Sequence, residues 1–163
     1  MKQTRAFIGG VVAPRDQRRQ ADLVLARDVR EVTAALKKVR NLARRHTDSA
    51  IIARVDRVGR MVSALATDVG TDRHVTANWE TIRQIAMEYL PATLHIYVRI
   101  PKAYRQTVRK PGGKTAHHEL VIQLNLLARK LSEIAANVGV DHLDEMQQYS
   151  QFLEARFRDP VSW

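Results

Sequence analysis

The stretch Lys110-Pro-Gly-Gly-Lys-Thr-Ala-His-His118 gathers side chains that serve two kinds of chemistry. Two glycines ahead of Lys-Thr evoke a phosphate cradle. In such a loop backbone N–H groups wrap the phosphates, Lys reaches the outer ones and Thr holds the metal. The pattern G-x-x-x-x-G-K-[ST] puts its first glycine five residues before the second. Val108 stands at that position, and no clear strand leads into the loop. The paired histidines evoke a metal. A zincin helix sets two imidazoles four residues apart on one face, with a glutamate between them. His118-Glu119 opens that pattern, but Ile122 occupies its closing position. On a helix His117 and His118 diverge by about 100°, so they do not converge on one ion. His46, His74, His95 and His142 each stand alone in the sequence. The stretch therefore reads as a connection entering a helix. Thr115 suits its N-cap, and Glu119 suits the positive end of the helix dipole.

Other chemistries find no carrier. The chain has no cysteine, which excludes disulfides, thiolate metal sites and cysteine nucleophiles. That composition fits a reducing compartment, and a cytoplasmic location is expected. There is no G-x-S-x-G elbow and no Ser-His-acid set that spacing supports. Asp16, Asp22, Asp28 and Glu31 are spread along one helical stretch, where they suit i,i+3 and i,i+4 pairing with arginines. The expectation is a non-enzymatic protein without metal, cofactor or small-molecule substrate.

The elements that would position any site are helical. Leu25, Val29, Val32, Leu36, Val39 and Ala43 step by alternating fours and threes, as do Ile51, Val55, Val58, Val62, Leu65 and Val69. Leu120, Leu124, Leu127, Leu131, Ile134 and Val138 repeat the pattern. A period near 3.5 keeps a narrow seam against one neighbour, as in coiled-coil-like packing. These spacings predict helices over about 15–46, 49–69 and 116–138. Trp79, Ile82, Ile85, Ala86 and Tyr89 predict another, with a kink or restart near Leu90 because Pro91 follows. Leu94, Tyr97 and Val98 continue it to about Pro101, although residues 94–100 also suit a strand. Gly139 is expected to end one helix and Asp141 to cap the next, over about 142–158. The predicted fold is all-α, a single-domain antiparallel bundle of four or five helices over 15–163, preceded by an arm at 1–14. Its core is expected to draw on the three seams with Trp79, Ile82, Tyr89, Leu94, Phe152 and Phe157. The arm's apolar run, Phe7 to Ala13, is too short to span a membrane, which takes about 20 residues.

Charge is unevenly placed. The net is +10, with +8 in residues 1–46 and −3 in residues 115–163. Once the seam fixes the register of the first helix, Arg30, Lys37 and Arg44 recur every seven residues on an outer line. Lys38, Arg40 and Arg45 lie beside it. Such a line can follow the phosphates of nucleic acid or, more weakly, an anionic membrane surface. It carries no interleaved aromatics for base stacking. A second candidate is Tyr89–Arg105, where Tyr89, Tyr97, Arg99, Lys102, Tyr104 and Arg105 surround two prolines. Tyr and Arg are favoured at protein interfaces, so a protein partner or self-association is expected there.

Several of these residues also carry a family resemblance. They are Tyr89-Leu90-Pro91 with Thr93-Leu94 and Tyr97; Pro101; Gly113-Lys114-Thr115 leading into Leu120, Gln123-Leu124 and Leu127; and Phe152-Leu153-Glu154 with Phe157. The segment from Ile85 to Phe157 resembles the bacterial XpaC-like group, also called the indolyl-phosphate hydrolysis family. The resemblance implies a helical protein, associated in some members with toxic-anion resistance proteins. The family label implies phosphate-ester hydrolysis, yet the chain lacks a cysteine nucleophile, a D-x-D motif and a metal cluster. Members attached to membranes have longer apolar stretches than Phe7–Ala13. The function expected is an interaction or adaptor module of a bacterial stress-response or membrane-associated assembly. The alternative is a nucleic-acid-binding protein using the basic stripe.

Overall fold

The computed structural model describes residues 14–158, which are all-α. Helix α1 (Pro14–His46) opens on a proline, whose missing N–H costs nothing at a first helical position. Asp48 then caps α2 (Ser49–Ala66), accepting the Ile51 N–H at 3.0 Å. Gly70, with φ of +86°, turns the chain towards α3 (Arg73–Ala77), which Asp72 caps in the same way. Next come α4 (Trp79–Gln84), a π turn (Ile85–Tyr89) and α5 (Leu90–Val98). Proline has no N–H for the ladder and crowds the turn before it, and the widened π turn takes up that misfit. There the Leu90 N–H reaches back to the Ile85 carbonyl. A 3₁₀ turn (Lys102–Tyr104) and a loop lead to α6 (Ala116–Phe157), capped by Thr115.

Cross-links fix the directions of these helices. The N-terminal ends of α2 and α6 meet where His117 Nε2 lies 3.1 Å from Asp48 Oδ2. Further along, His142 Nε2 lies 2.9 Å from Asp72 Oδ2, beyond the end of α2. Helices α2 and α6 therefore run the same way, while α1 and the α3–α5 run go the other. Helix α2 packs on α1 and α6, and α5 also packs on both. The core between them takes Val32, Val39 and Ala43 from α1, five apolar seam positions of α2 from Ile51 to Leu65, and Trp79, Ile82, Ile85, Leu90 and Leu94 from the broken run. Helix α6 contributes Leu120, Leu124, Ala128, Leu131 and Ile134.

The structure departs from the sequence expectations in two places. Helix α6 runs through Gly139 without a break, so the two expected helices are one of 42 residues. The apolar pattern changes face near Gly139, and a change of face looks like a boundary in sequence. Tyr89, Phe152 and Phe157, expected in the core, are exposed. Residues 94–98 are helical, as the spacing of Leu94, Tyr97 and Val98 predicts, and not the strand that residues 94–100 also suited. Among the described residues no helix is long and apolar enough to cross a membrane. Nearly all of the expected arm, residues 1–13, lies outside the described residues.

Candidate functional site

The glycine-lysine-histidine stretch is a loop and a first turn. Gly112 has φ of +69°, and the Gly113 N–H closes a turn on the Lys110 carbonyl at 2.8 Å. Thr115 Oγ1 accepts the His118 N–H at 3.2 Å, while His117 turns to Asp48. Among the described residues no three His, Asp or Glu side chains gather as a metal site would need.

The Tyr89–Arg105 segment divides into a clamp and a surface. Arg105 is buried, and its guanidinium donates to three carbonyls. Nε meets Ile100 O at 2.8 Å, Nη2 meets Val98 O at 3.2 Å, and Nη1 meets His46 O at the end of α1. Its carbon Cζ sits 4.6 Å from the Tyr97 ring centroid, a cation–π contact. Burial pushes the Tyr97 phenol above its ordinary 10.0, against the opposing Arg105 charge. The Arg105 carbonyl in turn accepts the His117 N–H at 2.9 Å. Tyr97 and Arg105 thus join the ends of α1 and α5 to the start of α6 and are not free for a partner. Tyr89, Arg99, Lys102 and Tyr104 remain exposed.

The basic stripe is also divided. Arg40 Nε lies 2.8 Å from Asp56 Oδ1 on α2, so its charge is answered within the fold. Arg30, Lys37, Lys38, Arg44 and Arg45 are exposed and, among the described residues, have no carboxylate within ion-pair distance. Lys37, Arg40 and Arg44 edge a groove of about 340 Å³ between α1 and α2, with Thr33, Asn41 and Ser63 adding neutral donors. Its floor includes Gly59, where an added Cβ would meet nothing within 4 Å. Lys38 faces the other side, towards α5. A glycine at a buried position inside an otherwise regular helix was the available sequence signal for this groove, because it lowers one wall.

The surface that sequence reasoning misplaced is the outer part of α6. Leu143, Met146, Tyr149, Phe152 and Phe157 are between 53% and 74% exposed. Tyr149 and Phe152 stack on each other, with ring centroids 5.8 Å apart. Isolated exposed apolar residues are ordinary, whereas these five lie within 15 residues of one helix. The available signal was the change of face after Val138. The next positions in the core register are Asp141, Glu145 and Gln148, all polar. Asp141 pairs with His74, and with Arg73 at 3.3 Å, and ends the docked part of the helix.

The chain matches no family model, no curated protein and no solved structure.

Proposed function

We propose that this chain is a non-enzymatic interaction module whose contact element is the outer part of α6. The observation carrying the reading is the run of large apolar side chains from Leu143 to Phe157, held on a continuous helix with nothing packed over it among the described residues. Leaving that much apolar surface in water is unfavourable at about 25 cal/mol per Å². A partner that covers it recovers that free energy. The stretch resembling the XpaC-like family, Ile85–Phe157, includes this element. A bacterial stress-response assembly of the toxic-anion-resistance kind is the setting we put forward.

A photoreactive amino acid in place of Phe152, in cells, tests the reading. The expected result is a discrete covalent adduct with a protein. Absence of any adduct, with the chain folded and expressed, overturns it.

The uncompensated cations of α1 favour a second reading, binding of a nucleic-acid backbone along Arg30, Lys37 and Arg44. Anisotropy of labelled duplex DNA and RNA tests it. Affinity should fall steeply with salt, and Lys37→Glu should reduce the salt slope by about one ion. Binding confined to low salt would make the stripe an ordinary solvated face.

A further inference from the structure

Two helix ends leave the body at the same end of the molecule. Leu25 of α1 sits level with Gly70, whose added Cβ would lie 3.5 Å from Leu25 Cδ1. Asp72 and Arg73, just beyond, hold His142 and Asp141 of α6. Upstream of Leu25 every described residue of α1 is exposed. Downstream of His142 every described residue is exposed except Leu153, which is half-buried. Both overhangs carry apolar side chains, with Leu23 70% and Val24 53% exposed on α1.

The shape of the α6 face limits what can cover it. At about 100° per residue, the positions from Phe152 round to Leu143 span about half the helix circumference. A two-stranded seam uses only a narrow stripe, whereas a face this broad needs two neighbours. Charge narrows the choice further. Residues 143–157 hold Asp144, Glu145 and Glu154 against Arg156, a net of −2. Residues 14–24 hold Arg15, Arg18 and Arg19 against Asp16 and Asp22, a net of +1. The acidic overhang and its basic complement therefore lie at one end of one chain.

We infer that this end pairs with the same end of a second copy about a two-fold axis. Each α6 overhang lies against the α6 and α1 overhangs of the other copy, forming a four-helix junction. Area supports using both overhangs. On the scale of 150–250 Å² for a large side chain, the exposed parts of the five α6 residues offer roughly 600 Å². A stable interface buries roughly 800 Å² per partner. Leu23, Val24 and the aliphatic stems of the α1 arginines supply the difference. An anionic bilayer is disfavoured as the occupant because the α6 overhang is itself acidic. The inference rests on the interaction-module reading and names its partner.

Sedimentation of the full chain across the micromolar range tests it. The expected species has twice the 18.6 kDa chain mass. Met146→Glu combined with Phe152→Glu should weaken the dimer about 30-fold or more, with helical circular dichroism unchanged because both side chains are exposed. Arg18→Glu with Arg19→Glu should also weaken it, and added salt should shrink that difference. A monomer throughout the range overturns the inference, as does a dimer indifferent to the α6 variant. So does a crosslink from position 152 to residues 1–13 of the same chain, read from mixed isotope-labelled copies, or α6-dependent binding to anionic vesicles by a monomer. If the chain is monomeric while position 152 captures a different protein in cells, this inference falls and the interaction-module reading stands. A monomer without any adduct removes both.

Discussion

The Asp72 carboxylate holds two helices at once. One oxygen accepts the Val75 N–H at 3.0 Å and caps α3, while the other lies 2.9 Å from His142 Nε2 on α6. Asp48 repeats the arrangement at the opposite end, capping α2 through Ile51 and meeting His117 of α6. Each N-cap is thus also a tether for the longest helix.

The first tether makes stability depend on pH. Glu145 and then Asp72 hold the His142 imidazolium, raising its pKa above the ordinary 6.5. The Val75 N–H, with help from His74 N–H and His142, lowers Asp72 below its ordinary 3.8. The raised histidine adds stability that is complete below 6.5 and is lost as pH rises through its folded value. The lowered aspartate adds stability that is complete above 3.8 and is lost as pH falls through its folded value. The tether is therefore fully formed between these limits. Denaturation midpoints of the native chain and His142→Gln, followed against pH, should differ most within that window and converge above it. Parallel curves at all pH values would show that the pair contributes nothing by titration.

Arg105 should be among the costliest side chains to replace. Arg105→Ala leaves the carbonyls of His46, Val98 and Ile100 without their donor, and a buried acceptor left unpaired costs about 1–3 kcal/mol. Arg105→Lys should recover little, because a point charge cannot reproduce the planar fork. Urea unfolding measures both, and a loss below about 1 kcal/mol for Arg105→Ala would contradict the clamp.

Two leucines of one seam should behave differently. Leu124 is fully buried and Leu127 only half-buried. Leu124→Ala should cost about 2–5 kcal/mol and Leu127→Ala clearly less. Equal losses would mean that the seam is packed more evenly than its exposure indicates.

Gly139 is helical, and an added Cβ there meets nothing within 4 Å. Gly139→Ala should stabilise α6 by about 0.5–1 kcal/mol, read as a higher unfolding midpoint. A fall in the midpoint would show that a bend at this glycine is used.

Much of the fold was legible because it is local. The three-and-four stepping of Val32, Val55 and Leu124 placed the seams, and Thr115 announced a helix start. Pro91 announced the disturbance that became the π turn. What stayed hidden depends on distant neighbours. Nothing near Arg105 in sequence shows that a carbonyl 59 residues away awaits its guanidinium. Phe152 and Phe157 have the composition of a core, but burial requires an opposing element, and among the described residues none packs over that part of α6. Arg30, Lys37 and Arg44 are exposed, as their spacing implies, yet the Asp56 contact that claims Arg40 comes from a second helix.

The continuity of α6 also indexes rotation. Its docked part, from Leu120 to Ile134, and its outer face share one shaft without a joint, so whatever grips Tyr149 and Phe157 is set at a fixed angle to the core. Each residue along that shaft carries about 100° of turn and about 1.5 Å of advance. One residue inserted between His142 and Leu143 would keep the Asp141 and His142 contacts in place and swing the outer face to a new bearing. The spacing beyond His142 thus acts as the gearing between the fold and its partner.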